Sequence, residues 1–352
     1  MPEIRKGGAP MRVLFPARIV DRHVGGNTTY GRRLEAGLLA RGVNTGRIPA
    51  QRHPALTAFG ETATALRKRS SQEVLHYLAD TGPLLPARNP SVVTVHGIAS
   101  RWAQGIRDPK QETIWRARVR LAIRNTTALV TVSESSADDI SEVFGVERDD
   151  ITVIPHGLDL PTRSFDESVL RDQFPDWSGN PYALYVGNIE PRKNLVELVR
   201  AFESPEVKNL GIPLVIAGKT AWNSERSMEE IRSASNARYL GFVSEEEKEA
   251  LLQNATMFIF PSLYEGFGFP VLEALARGVP TICTTNGALA EIAGPAHTLK
   301  ETTSDCIADA VVTIFGDTNY RSEIRHLGPQ WADRFKWDSS VDQHLAVYRK
   351  VL

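Results

Sequence analysis

Two glutamates, Glu265 and Glu273, sit in the segment Phe260-Pro-Ser-Leu-Tyr-Glu-Gly-Phe-Gly-Phe-Pro-Val-Leu-Glu-Ala-Leu-Ala-Arg-Gly278. An apolar run ends at Pro261, and Glu265 falls in the loop that follows. Gly266 and Gly268 leave the backbone bare beside Phe267 and Phe269. Pro270 suits a first helical turn, where its missing N–H would have no partner anyway, and Gly278 suits the helix end. Backbone N–H groups at such a helix N-terminus attract anions, so a diphosphate fits there without a sequence-specific side chain. One glutamate precedes the helix and the other lies inside it. They are therefore no proton-sharing pair and should contact different parts of a ligand. A carboxylate accepts hydrogen bonds from vicinal hydroxyls, which suits sugars. Against this stands a bland reading, in which Glu273 answers the helix dipole and Glu265 is a solvated loop residue.

Arg192 and Lys193 form a second candidate, in Val186-Gly-Asn-Ile-Glu-Pro-Arg-Lys-Asn194. The segment follows a strand that ends at Gly187 and precedes a helix. Cations at a helix start oppose the dipole, and an anionic ligand would resolve the conflict. Arginine holds phosphate oxygens bidentately and lysine supplies a point charge. A solvated basic pair is the competing reading. Near the N-terminus, Gly25-Gly26-Asn27 precedes a helix and permits close backbone approach to a ligand, or a tight turn. It lacks the glycine spacing of the dinucleotide fingerprint. His96 ends an apolar strand and is placed to hydrogen-bond a substrate, although a lone histidine is more often structural. His156, in Ile154-Pro-His-Gly-Leu-Asp159, is open in the same way. The basic stretch 110–124 and the triplet Arg67-Lys68-Arg69 read as solvated faces, with an anionic lipid or another anionic partner as the alternative.

The elements that must position these residues alternate between short β-rich runs and helical stretches. In the first half, strands are expected at 12–15, 73–78, 91–96, 128–133 and 151–155, with a helix over 28–40. In the second half they are expected at 182–187, 213–218, 237–241 and 256–261. Runs such as Leu214-Val-Ile-Ala217 lack alternation, which suits a parallel sheet buried on both faces. The Pro- and Gly-containing stretch 160–181 reads as a linker between two doubly wound domains, whose ligands sit beyond the carboxyl ends of the strands. A cleft between two such domains is the expected place for a site.

The chain has 352 residues, 42% apolar and 24% charged, which is a globular composition and excludes disorder and collagen-like repeats. The length favours two domains. Forty-one Lys and Arg against 42 Asp and Glu leave a charge of −1, without the basic bias of a nucleic-acid binder. Cys283 and Cys306 are too few and too isolated for a zinc site and read as reduced thiols, with a lone disulfide as the alternative. No apolar run is long enough to span a bilayer, and residues 1–10 read as a flexible lead-in rather than a signal peptide.

Taken in order, these segments resemble the retaining glycosyltransferases of family 4. Glu265 and Glu273 match that family's E-x7-E motif. The resemblance extends to Gly25-Gly26, Val95-His96-Gly97, Val132-Ser133-Glu134 and Pro155-His156-Gly157. It continues through Gly187 and Glu190-Pro-Arg-Lys-Asn194, Ala217-Gly218-Lys219, Leu240-Gly-Phe-Val-Ser244 and Glu291-Ile-Ala-Gly294. It implies an α/β GT-B fold with two Rossmann-like doubly wound domains facing across a cleft. An acceptor-side domain over 11–165 is expected, then a nucleotide-sugar domain over 166–335. Residues 336–352 are expected as a helix crossing back onto the first domain.

By this resemblance, Arg192 and Lys193 hold the donor diphosphate, Glu265 contacts donor-sugar hydroxyls, and Glu273 holds the ribose. The backbone of 266–269 lies beside Glu265. Gly187 and Gly218 line the donor side, and Gly241, Phe242 and Val243 border the base. Gly25 and Gly26 approach the diphosphate or the acceptor. His96 stands by the donor sugar or the acceptor, with Asn27 and His156 on the acceptor side. No metal and no resident cofactor are implied, since cations and a helix terminus do that work.

This chain departs from the pattern at Asn188, where many relatives carry Arg, and at His156, where many carry Asn. The Glu-Pro-Arg-Lys-Asn variant and Trp222 resemble the bacterial mannosyl- and rhamnosyltransferase branch, which favours a GDP-mannose-like donor, with UDP- or TDP-sugars as the alternatives. The expected partners are a nucleotide sugar and a hydroxyl-bearing acceptor, lipid-linked or free, and no nucleic acid. The expected location is the cytoplasm or, peripherally, the inner face of a membrane. A nucleotide-sugar epimerase, a phosphorylase and a non-catalytic nucleotide-sugar-binding subunit are the competing readings.

Overall fold

The computed structural model describes residues 10–21, 25–102, 108–159 and 179–352. Residues 1–9 of the expected lead-in, most of the expected linker and the expected boundary at 165 lie outside them. The chain divides into two compact units. Unit 1 holds the described residues up to Gly97, Pro109–Gly157 and Lys336–Leu352; unit 2 holds Ile98–Asp108 and Leu158–Phe335, so far as they are described.

Unit 1 is built on a six-stranded parallel sheet in the order β2-β1-β3-β4-β5-β6. The strands are β1 (Arg12–Pro16), β2 (Asn44–Ile48), β3 (Glu73–Tyr77), β4 (Ser91–Val95), β5 (Ala128–Thr131) and β6 (Ile151–Val153). Five of them fall where the apolar runs place them. β2, Asn-Thr-Gly-Arg-Ile, was not anticipated, because it is an edge strand paired only with β1 and carries little apolar sequence. The expected helix over 28–40 runs over Gly26–Ala40 and buries Tyr30, Leu34 and Leu38.

The C-terminal helix, Trp337–Val351, belongs to the same unit. Its Val341, Leu345, Val347 and Tyr348 join the core formed by Phe15, Leu34, Leu38, Val74 and Val92. Gly37 makes this packing possible: a Cβ there would lie 2.5 Å from Cγ2 of Val341. Arg41 closes the seam by pairing with Asp338 and Asp342.

Unit 2 is a second six-stranded parallel sheet, ordered β12-β11-β10-β7-β8-β9. Its strands are β7 (Ala183–Val186), β8 (Leu214–Ala217), β9 (Ala237–Gly241), β10 (Met257–Phe260), β11 (Thr281–Cys283) and β12 (His297–Thr298). β7, β8 and β10 are buried almost throughout, as their unalternating apolar sequence requires, and β11 is buried as well. β11 and β12 were not anticipated; three and two residues are too short to show a period. Cys283 is buried in β11 and, like Cys306, is a free thiol.

Each sheet reverses its winding once, between β1 and β3 in unit 1 and between β7 and β10 in unit 2. The carboxyl ends flanking such a reversal are splayed apart by connections leaving in opposite directions, and ligands bind there.

Candidate active site

The reversal in unit 2 brings together the two segments that carried the strongest chemistry. β7 runs into the loop holding Glu190, Arg192 and Lys193; β10 runs into the loop holding Glu265. Lys193 Nζ donates to Glu265 Oε1 at 2.6 Å, and Arg192 Nη1 lies 2.9 Å from Glu265 Oε2. Arg192 also donates through Nη2 and Nε to Glu190 Oε1, at 2.5 and 3.0 Å, and through Nη1 to the Tyr264 carbonyl at 2.6 Å. The backbone locks the two loops together, since Leu263 N–H donates to the Arg192 carbonyl at 2.8 Å. Glu190, Lys193 and Glu265 are all buried.

Two cations thus face two carboxylates away from water. Burial by itself would raise the Glu265 carboxyl, but Arg192 and Lys193 outweigh it and hold the group at about 2. Burial lowers Lys193, and Glu265 only partly offsets that. Lys193 Nζ also stands 4.6 Å from the centre of the Phe260 ring. Glu190 was not assigned a role from its sequence position, because its partner is a side chain whose guanidinium the sequence alone directed at a ligand.

Downstream, Gly268 caps the helix Phe269–Ala276 with Pro270 in its first turn, and Arg277 and Gly278 end it, as anticipated. The rings of Phe267 and Phe269 meet edge to face at 5.0 Å. Glu273 lies on this helix and does not join the Glu265 network. Its Oε1 accepts from Lys248 Nζ at 3.0 Å, and Lys248 pairs at 2.7 Å with Glu245. Burial works to lower the Lys248 ammonium, yet the two carboxylates carry it above its ordinary value. Lys248 was missed: it precedes Glu273 by 25 positions and belongs to another helix, Glu245–Asn254.

Gly187 and Gly218 end adjacent strands. A Cβ on Gly218 would lie 1.8 Å from the Gly187 carbonyl oxygen, so this glycine is required by the crossing of two backbones. Gly218 N–H donates to the Gly241 carbonyl at 2.7 Å, which ties in the 241–243 loop. There Phe242 is exposed, with Lys219 Nζ 4.0 Å from its ring centre, whereas Val243 is buried.

In unit 1, Gly25 and Gly26 are exposed and Asn27 is half-buried at the start of the helix Gly26–Ala40. His96 follows β4; its Nε2 bonds the Leu78 carbonyl at 2.7 Å and its backbone N–H donates to Asp80 at 2.9 Å. His156 is buried rather than presented at a surface, its ring 4.7 Å from that of Tyr30 and 5.5 Å from that of His96. Both histidines border a network the sequence did not disclose. Tyr30 Oη bonds Thr94 and His344 at 3.0 and 2.8 Å. His76 bonds Thr94 and Tyr348 at 2.8 and 2.6 Å. Burial drives His76 and His156 well below the ordinary histidine value and His344 down to about 4. These imidazoles are neutral at pH 7 and join the C-terminal helix to the sheet.

Fold and site together define a GT-B glycosyltransferase architecture. The family model described as Glycosyltransferase Family 4 matches residues 24–161, and that described as Glycosyl transferases group 1 matches residues 167–331. The chain belongs to this glycosyltransferase family. It is similar to the O-antigen chain mannosyltransferase B of Escherichia coli, 31% identical over 230 residues that make up 63% of this chain and 60% of the relative. It is also similar to the MMP alpha-(1->4)-mannosyltransferase of Mycolicibacterium hassiacum, 29% identical over 65% of this chain and 55% of the relative. The matched region therefore spans less than two thirds of both relatives. Among solved structures, Anabaena HepE in complex with UDP-glucose superposes with a TM-score of 0.74, at 16% identity, over 97% of this chain and all of that one. Among the described residues, no helix is long and apolar enough to cross a membrane.

Proposed function

We propose that the protein transfers a hexose from a nucleotide diphosphate sugar to an acceptor hydroxyl, with retention at the anomeric carbon. The observation that carries this reading is the buried Glu190–Arg192–Glu265–Lys193 network at the sheet reversal of unit 2. The donor diphosphate enters beside Arg192 and Lys193. As the glycosidic bond breaks, negative charge grows on the leaving phosphate and positive charge on the sugar ring. Arg192 and Lys193 stabilise the first, and Glu265 holds hydroxyls of the sugar. Stabilisation of the leaving group by preorganised charge is the largest contribution expected. A leaving phosphate oxygen accepts the acceptor proton on the same face, which gives retention without a covalent intermediate. Glu273 binds the ribose and Phe242 borders the base.

The mannosyltransferase relatives favour a GDP-mannose-like donor. Because Arg192 and Lys193 supply the positive charge, the rate is expected to be unchanged by EDTA; a loss restored by Mn²⁺ would contradict this. The decisive experiment is isothermal titration with GDP, UDP, TDP and ADP, followed by transfer assays with the matching sugar nucleotide and proton NMR of the product anomer. Selective GDP binding and a retained α-anomer support the reading. Sugar-nucleotide conversion without an acceptor would replace it with an epimerase.

A further inference from the structure

We propose that unit 1 carries a second binding site, which takes a sugar or polyol bearing an anionic group. It lies at the sheet reversal of unit 1, in a cavity of about 360 Å³, within the usual size of small-molecule sites. Its charged lining is Arg18, Arg52, Arg118 and Glu61. Arg18 follows β1 and Arg52 follows β2, while Thr81, also in the lining, follows β3. Glu61 and Arg118 come from the helices Pro54–Leu66 and Pro109–Asn125.

The charges are not arranged as a closed ion-pair group. Three guanidinium groups face one carboxylate, so two positive charges remain unbalanced. Glu61 is only 1% exposed; its Oε1 accepts from Arg18 Nε at 2.7 Å. Arg18 Nη2 donates to the carbonyl and hydroxyl oxygens of Thr81, at 3.3 and 3.0 Å. This guanidinium is therefore held in place by a buried carboxylate and a strand end, and its Nη1 makes no hydrogen bond or ion pair among the described residues. Glu61 Oε2 and Arg118 Nε are both buried and have no hydrogen-bond partner among the described residues. A structural salt bridge would have joined those two atoms. Leaving a buried acceptor and a buried donor unsatisfied is costly, and a ligand that satisfies both recovers the cost.

An anion bridging Arg18 and Arg118, with Arg52 at the mouth, balances the excess charge. A hydroxyl next to that anion supplies the donor that Glu61 lacks. Phosphate and carboxylate share this chemistry, and arginine takes either bidentately. If the glycosyl-transfer reading holds, this is the acceptor's site and the acceptor is a phosphorylated or carboxylated sugar. The site itself stands on the geometry of unit 1 alone.

The test is isothermal titration of the full chain with a hexose 6-phosphate, a hexuronate, the neutral hexose and inorganic phosphate, in the wild type and in Arg118→Gln and Arg52→Gln. GDP and UDP are titrated in parallel. Binding of the hexose phosphate or the hexuronate is expected, stronger than that of the neutral hexose or of phosphate and weakened at least tenfold by both substitutions. Nucleotide affinity is expected to stay within twofold. Arg52 is exposed and has no hydrogen-bond or ion-pair partner among the described residues, so its variant carries the test if Arg118→Gln unfolds. Absence of binding by both anionic sugars, equal binding of the neutral hexose or of bare phosphate, or indifference to both substitutions overturns the proposal. Arginine-dependent binding in a protein that takes no nucleotide leaves this site standing and removes the glycosyl-transfer reading.

Discussion

Glu265 is held near 2 because two cations crowd it, so its pairing is insensitive to mild acid. Its folded value lies below the ordinary carboxylate value, so the stabilisation is complete above about pH 4.5 and is lost only as the pH falls towards 2. Lys193→Ala leaves Glu265 one cation short and, in the proposed reaction, removes charge from beside the leaving group. Initial-rate assays of Lys193→Ala and Glu265→Gln should show kcat reduced about 10²-fold or more, the scale of losing one preorganised transition-state contact. Rates within a few-fold of wild type in both variants would remove these residues from the chemistry. Glu273 stands apart from this network, its carboxylate paired with Lys248. Glu273→Ala should weaken nucleotide binding about 10-fold to 100-fold by titration, as expected for lost hydrogen bonds to a charged group, and kcat should fall less than in the Glu265 variant. Equal losses in kcat would show that both carboxylates act at the reacting centre.

Among the elements, the short helix Phe269–Ala276 and the loop before it place Glu265 and Glu273 on different neighbours: the β7 loop for one, the helix Glu245–Asn254 for the other. The contact between the helices Gly26–Ala40 and Trp337–Val351 depends on the missing side chain of Gly37. Val341 is buried and β-branched, so it has little freedom to turn away. Gly37→Leu gains helix propensity of about 1 kcal/mol but overpacks a closed seam, which costs about 1–3 kcal/mol or more once the helices part. A fall in Tm is expected by calorimetry, together with faster proteolysis of the C-terminal helix; an unchanged Tm would show that the seam yields freely. Most strands were legible from their apolar runs, the edge strands β6 and β9 included. β2 was not, because an edge strand with one neighbour needs little apolar sequence, and β11 and β12 are too short to carry a period.

For the molecule as a whole, the buried histidines of unit 1 are expected to contribute to its response to acid. His344 has a folded value near 4, below the ordinary histidine value of about 6.5. The unfolded chain therefore takes up the proton first. Stability is full above pH 6.5 and declines as the pH falls from there to about 4, by about 3 kcal/mol for this residue alone. Denaturant titrations at pH 7.5, 6, 5 and 4 should show that decline, and His344→Gln should flatten it while lowering stability at pH 7.5. An identical slope in the variant would place the acid sensitivity elsewhere. None of this network was visible beforehand, because Tyr30, His76, Thr94, His344 and Tyr348 are scattered over more than 300 positions and carry no spacing.

What the sequence determined by itself was local: the apolar runs that become buried parallel strands, the helix starts and stops, and the residues at the carboxyl edges able to bind anions and hydroxyls. The E-x7-E segment and the Glu-Pro-Arg-Lys-Asn segment were legible because backbone geometry at a strand-to-helix turn depends on near neighbours. Only the tertiary structure decided the pairing. It set Lys193 and Arg192 against a carboxylate 72 and 73 positions away, sent Glu273 to Lys248, buried His156 among rings, and gathered three arginines around Glu61. Electrostatic partnership and burial depend on distance in space, and folding a doubly wound sheet brings to one edge residues whose order along the chain gives no sign of it.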